Sequence, residues 1–308
     1  MQKRSNSTRK NLLKDTKDNT LSYLTNTEKL ELRKDFTSLS SHQNKINKLD
    51  YRILLQKVSK LSQKDLFMCD YQPNLTIFQR FYLKWLIHQR KKGKPIAYLI
   101  NQKEFYSRNF YVNKHVLIPR PETEQIIDIS KKFHQQSPIK NILDIGTGSG
   151  CLGLTLAKEL KNSQVTLLDI SKQALRVARK NAKNLNLKPK ITHSNLLQNI
   201  PSKSHFDLII TNPPYIPVNT PELVDPATKK YEPNLALFSG KKGLDHYQEL
   251  FLQIKQKQIS FQLLIGEFGF GQKNDLQLLL SQILPNMNCE FYNDLNNIPR
   301  IFTLTKPE

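Results

Sequence analysis

The chain has 308 residues and a net charge of +21, from 47 Lys/Arg against 26 Asp/Glu. That length is enough for two domains and a sizeable core. No apolar run approaches the ~18 residues of a membrane span, and Cys69, Cys151 and Cys289 fit neither a disulfide framework nor a metal-ligand spacing.

The charge is unevenly spread. Residues 1–49 hold eleven Lys/Arg against five Asp/Glu, and residues 50–100 hold ten against three. Residues 101–308 hold twenty-six against eighteen. A basic surface suits nucleic acid or nucleic-acid-bound partners; solvated charges of a Lys- and Asn-rich composition read equally well.

Residues 1–44 are rich in Ser, Thr, Asn, Gln and Lys, which predicts a disordered basic extension with a short helix around Thr27 to Asp35. The lack of an acid before Asp15 is the pattern of a transit peptide. Asp15, Asp18, Glu28, Glu31 and the scarcity of arginine weigh against it. A cytoplasmic location is therefore expected, with the mitochondrial matrix or another organelle as the alternative.

A small helical domain is expected over 45–100. Tyr51, Leu54, Leu55, Val58 and Leu61 recur at helical spacing. So do Ile77, Phe78, Phe81, Tyr82, Trp85 and Leu86, after a Pro73-Asn74 break that can supply a cap. Both stripes read as core. Arg90-Lys91-Lys92-Gly93-Lys94 reads as a solvated helix end. Glu104-Phe105-Tyr106 and Phe110-Tyr111-Val112, around Ser107-Arg108-Asn109, predict a β-hairpin linker over 101–118.

From 119 to the end, strands alternate with helices. Strands are expected at Lys140 to Asp144, Val165 to Asp169, Ile191 to His193, Phe206 to Ile210 and Phe261 to Ile265. Helices are expected at Leu152 to Leu160, Ser171 to Leu185 and Leu244 to Gln256, the second capped by Ser171. Ile301 to Leu304 is expected to close the sheet as an antiparallel edge. This order predicts an α/β, Rossmann-like domain with a parallel, doubly wound sheet.

Asp144-Ile145-Gly146-Thr147-Gly148-Ser149-Gly150 follows the first of these strands, and Asp169 lies nineteen residues beyond Gly150. Gly148-Ser149-Gly150-Cys151-Leu152-Gly153 matches the dinucleotide pattern G-x-G-x-x-G. Asp144, however, would face a pyrophosphate across a short distance and repel it. It favours a ligand that carries an ammonium and a sulfonium and no phosphate, as S-adenosylmethionine does. The glycines let backbone approach the ligand, and Asp169 can accept from both ribose hydroxyls.

Thr211-Asn212-Pro213-Pro214-Tyr215 ends the Phe206 strand, because neither proline can donate to a ladder. Asn212 thus stands where open α/β sheets bind ligands. Its side-chain oxygen and the Pro213 carbonyl can accept the two protons of a planar NH2 group, with Tyr215 packed on its face.

Asn212-Pro213-Pro214-Tyr215 together with Leu117-Ile118-Pro119-Arg120-Pro121-Glu122-Thr123-Glu124 resembles the HemK/PrmC family, the release-factor glutamine methyltransferases. The likeness runs from about residue 50 to the C-terminus. Pro95-Ile96-Ala97-Tyr98, Glu104-Phe105, Tyr231-Glu232-Pro233, the stretch Gly240 to Asp245, and Glu267 with Gln272 also stand where the family has similar residues. The resemblance implies a class I S-adenosylmethionine-dependent methyltransferase acting on the glutamine of a Gly-Gly-Gln tip in release factors. It implies cofactor contacts at Gly146, Thr147, Gly148, Ser149, Gly150, Asp169, Asn195, Leu196 and Asn212. It implies substrate contacts at Asn212, Pro213, Pro214 and Tyr215, with Asn212 as the catalytic residue. One departure is Ser194-Asn195-Leu196, which puts an amide where the family often has an acid near the adenine.

Transfer to an amide nitrogen is mostly a positioning problem. No histidine is assigned as a base, and His193 reads as packing. No metal, membrane or nucleic acid is required, and a monomer is expected. Two alternatives stay open: a nucleic-acid adenine-N6 methyltransferase, and a non-catalytic S-adenosylmethionine-fold binding protein.

Overall fold

The computed structural model describes residues 46–61, 74–220 and 224–307. The expectations for 1–44 lie outside the described residues. The chain divides into two compact units, Met1–Ile100 and Asn101–Glu308.

In the first unit, α1 (Lys48–Ser59) starts at Asn47, whose Oδ1 accepts from Asp50 N at 2.7 Å. Helix α2 (Ile77–Lys91) starts at Thr76 through a reciprocal cap with Gln79, two residues after the Pro73-Asn74 break. Helix α3 spans Ile96–Ile100. Their shared core is Leu54, Leu55, Val58, Leu83, Leu86 and Leu99. The expected stripe on α2 is mostly outside that core: Ile77, Phe78 and Phe81 are at least 70% exposed. The inward face is instead Gln79-Leu83-Leu86-Arg90, spaced i, i+4, i+7, i+11. Gln79 Nε2 donates to Val58 O (3.0 Å) and Arg90 Nε to Asp50 Oδ2 (2.7 Å). Two polar residues bound across to α1 hide this face from a search for apolar periodicity.

The second unit opens with a hairpin, β1 (Lys103–Phe105) and β2 (Arg108–Phe110). Its turn is Tyr106-Ser107, both at positive φ (49° and 58°), rather than Ser107 to Asn109. A two-residue turn of this hand matches strand twist and puts Phe105 and Phe110 fully inside. A single 3-10 turn (Pro121–Glu124) leads into α4 (Gln125–Gln136).

The main sheet has β3 (Asn141–Ile145), β4 (Gln164–Asp169), β5 (Lys190–His193), β6 (His205–Thr211), β7 (Ser260–Glu267), β8 (Asn288–Asn293) and β9 (Pro299–Thr305), in the order β5-β4-β3-β6-β7-β9-β8. The first five strands are parallel; β9 is antiparallel to both β7 and β8. The sheet is therefore mixed, and Ile301 to Leu304 lies in an inner strand. The edge on that side is β8 (Asn288-Cys289-Glu290-Phe291-Tyr292-Asn293), a strand of partial burial without a continuous apolar run.

Helices α5 (Cys151–Glu159), α6 (Lys172–Asn184), α7 (Pro226–Tyr231), α8 (Asp245–Lys257) and α9 (Lys273–Ile283) complete the unit. Both sheet faces are covered: Leu143, Ile209 and Leu264 enter one core with Phe251 and Phe302, while Ile142, Leu208 and Leu263 enter another with Phe105 and Phe110. Burial on both sides is why these strands read as continuous apolar runs. From β3 the chain winds outward to β4 and β5, then returns to β6 on the other flank. The strand order reverses there, and the carboxyl ends of β3 and β6 frame a crevice.

Candidate active site

The glycine loop leaves β3 at that crevice. Gly146, Gly148 and Gly150 have φ of 70°, 54° and 82°, where a side chain would strain the backbone. Gly146 and Gly148 face open space at the cavity wall. Gly150 does not line the cavity: a Cβ there would stand 2.9 Å from Leu154 Cδ1, so this glycine serves the packing of α5.

Asp144 is buried. Its Oδ2 accepts from Thr147 Oγ1 (2.6 Å) and Gly153 N (3.0 Å), so it braces the loop. Burial pushes its pKa up to about 7, against the hydrogen bonds that lower it. Its negative charge is thus only part-formed at neutrality, weaker than the charge expected from sequence. Asp169 closes the other side, with Oδ2 accepting from Gly148 N and Oδ1 from Ser171 N, both at 2.8 Å. Burial raises its pKa as well. Each Asp169 oxygen keeps a lone pair for a further donor. Ser194, Asn195 and Leu196 continue the wall after β5.

Among the described residues, this wall holds two aspartates and no lysine. Its arginine, Arg120, is ion-paired with the buried Glu232. Such a lining does not suit a pyrophosphate, and it fits the ammonium, sulfonium and ribose of S-adenosylmethionine.

Strand β6 ends at Thr211, whose Oγ1 donates to Ile145 O (2.9 Å), and Asn212, Pro213 and Pro214 form the facing wall. Tyr215 is not part of that wall. Its hydroxyl donates to Glu267 Oε1 at 3.0 Å, which ties the loop to the end of β7. Its pKa is raised, first by the charge of Glu267 and then by burial. Asn212 Nδ2 donates to Thr123 Oγ1 (3.2 Å), and Thr123 Oγ1 donates to Glu267 Oε2 (2.6 Å). Gln272 Nε2 holds the Tyr215 carbonyl at 2.8 Å.

Three further links were not legible. Glu232 accepts from Ile118 N (2.9 Å) and from Arg120, which pins the segment before Thr123. Buried Asn181 on α6 donates to Ser149 O (2.8 Å) and Tyr111 O (2.9 Å), joining the glycine loop to the chain after the hairpin. His246 also lines the cavity, its Nδ1 2.6 Å from Ser239 Oγ, and burial lowers its pKa. Each link spans residues far apart or isolated in sequence. His193 is exposed, its Nε2 2.8 Å from Ile170 O, so it ties two loops rather than packing inside. Burial pushes the Cys151 thiol up to about 12, which leaves it neutral. No group of His, Cys, Asp and Glu suited to a metal occurs among the described residues. Nor is any helix there long and apolar enough to cross a membrane.

The family model of the methyltransferase small domain matches residues 129–224. A release factor glutamine methyltransferase of Bacillus anthracis is 35% identical over 255 residues, covering 81% of this chain and 89% of its own. The chain belongs to the release factor glutamine methyltransferase family. The Enterococcus faecalis member is 37% identical over 219 residues, 71% of this chain and 78% of that one. The hMettl16 catalytic domain in complex with the MAT2A 3'UTR hairpin 1 has a TM-score of 0.50 at 15% identity. It covers 84% of this chain and 94% of that one, a likeness of fold alone. The mixed seven-stranded sheet is that of class I methyltransferases.

Proposed function

We propose that this chain transfers a methyl group from S-adenosyl-L-methionine to the side-chain amide nitrogen of the glutamine in the Gly-Gly-Gln tip of peptide chain release factors. The observation that carries this is the placement of Asn212. Its amide nitrogen donates to Thr123 and its side chain lines the cavity shared with the glycine loop and Asp169, which supports Oδ1 as the acceptor for a substrate amide.

When bound, the cofactor supplies an electrophilic methyl carbon. The chain's part is to hold and orient. Gly146, Thr147, Gly148 and Ser149 offer backbone to the cofactor, Asp169 its ribose acceptors, and Asn195 and Leu196 the adenine side. Asn212 Oδ1 and the Pro213 carbonyl accept the two amide protons, which orients a weakly nucleophilic nitrogen. No strong base is needed, because the amide proton becomes acidic only once the nitrogen is methylated. We take the chain to act as a monomer and without nucleic acid. Free Cys151 and Cys289 are in keeping with a reducing compartment such as the cytoplasm.

The test is incubation of purified release factor, DNA and RNA side by side with labelled cofactor, followed by peptide mass spectrometry. One added methyl is expected on the tip glutamine. Asn212→Ala should slow transfer by about 10²–10³, as for loss of one preorganised partner. Label on nucleic-acid adenine, with release factor untouched, would overturn the proposal.

A further inference from the structure

The amide of Asn212 has two ends of opposite character, and only the oxygen can accept a proton from a substrate amide. Which end faces the cavity is settled behind it. Thr123 Oγ1 carries one hydrogen, which points to Glu267 Oε2 at 2.6 Å. With that hydrogen committed, Thr123 can only accept from Asn212, at 3.2 Å. The Asn212 amide also hydrogen-bonds Glu267, whose pKa burial raises against these bonds. The NH2 group thus faces Thr123 and Glu267, and Oδ1 faces away.

We infer that Glu267 and Thr123 are positioning residues, which act through Asn212 to keep its oxygen turned to the substrate. Glu267 lies at the end of β7, beside β6 in the sheet, and Thr123 in the 3-10 turn before α4. The three side chains come from three segments that meet at this point. Glu267 is 3% exposed, and its other oxygen accepts from Tyr215, so one carboxylate steadies both ends of the Asn-Pro-Pro-Tyr loop. If the carboxylate gained a proton it could donate to Thr123. The hydroxyl could then donate to Asn212 Oδ1, and the amide would turn its NH2 group to the cavity. An NH2 facing an NH2 gives no hydrogen bond and disfavours the reacting pose.

This inference rests on the glutamine-methylating role proposed above. Its test is a double-mutant cycle on the full chain, with release factor as substrate. Thr123→Val keeps the volume and removes the hydroxyl. It should lower kcat about 10- to 100-fold, with KM for S-adenosylmethionine changed by less than about threefold. Thr123→Ser, which restores the hydroxyl, should recover activity to within about threefold of wild type. In an Asn212→Ala background, Thr123→Val should cost nothing further, because the residue it orients is gone. If Thr123→Val does not fold, as judged by circular dichroism, Thr123→Ala serves in the same cycle. Multiplicative losses would overturn the inference and give Thr123 an independent role. So would a Thr123→Ser variant as slow as Thr123→Val, or a loss confined to cofactor KM. A wild-type chain that methylates no release factor would overturn the functional proposal and this inference with it; an active wild type with a multiplicative cycle overturns this inference alone.

Discussion

Asp144 gives the sharpest test of how the site is built, because its stability cost and its binding role have opposite signs. Replace it with Asn. The side chain keeps its size, and the single amide oxygen can still accept from Thr147 Oγ1 and Gly153 N as Oδ2 does. What is lost is the charge. The folded pKa of about 7 stands above the 3.8 of a free carboxyl, so the folded state holds a proton between those values that the unfolded chain has released. The contribution of Asp144 to stability is therefore complete below about pH 4 and lost as pH rises through about 7. About three pKa units correspond to on the order of 4 kcal/mol at pH 8. Asp169 repels the Asp144 charge, so the variant also relieves Asp169, which adds to the gain at high pH. Asp144→Asn should thus match wild type near pH 4, gain partially by pH 6, and exceed it by several kcal/mol at pH 8, in the absence of cofactor. Urea titration followed by far-UV circular dichroism is the assay. Fluorescence is unsuitable, since the sole tryptophan, Trp85, lies in the first unit. The same variant should bind S-adenosylmethionine more weakly by calorimetry, since it no longer offers negative charge to a cationic ligand. A stability difference that is the same at pH 4 and pH 8, or a variant less stable at pH 8, would refute the reasoning.

Three other outcomes are expected. Asp169→Ala should weaken S-adenosylmethionine binding by roughly 1.5–3 kcal/mol, the range for hydrogen bonds to a charged group, and NAD should not bind either protein; calorimetry decides both. Gly153→Ala would place a Cβ 2.5 Å from Leu167 Cδ2 and 2.9 Å from Asp144 Oδ2. It should destabilise the second unit by about 1–3 kcal/mol as overpacking, read by the same urea titration. A chain beginning at Gln43 should stay folded and keep its methyl transfer to release factor, because the polar residues before it lie outside the family likeness; a large loss of activity would make them part of the enzyme.

Patterning along the chain was enough to place the parallel half of the sheet, because strands buried on both faces show as short apolar runs between glycine- and proline-rich stops. The glycine loop, the acid at the end of β4 and the Asn-Pro-Pro-Tyr turn were legible for the same reason: each is a local run whose chemistry its neighbours announce. Local pattern was silent where partners are remote. The polar inner stripe of α2 is satisfied by α1, and β8 is a half-buried strand placed by its ladder with β9 and by Phe291 packed edge-on against Phe268. Tyr215 shows the limit most clearly. Sequence places an aromatic ring beside Asn212, and only the packing of β7 against β6 supplies the buried carboxylate that its hydroxyl bonds. Thr123 and Glu267 stand 144 residues apart and meet because a sheet and a 3-10 turn bring them together. A hydrogen bond's direction depends on what lies behind each donor. The orientation of the Asn212 amide was therefore a property of the tertiary structure, although the identity of the residue was plain in the sequence.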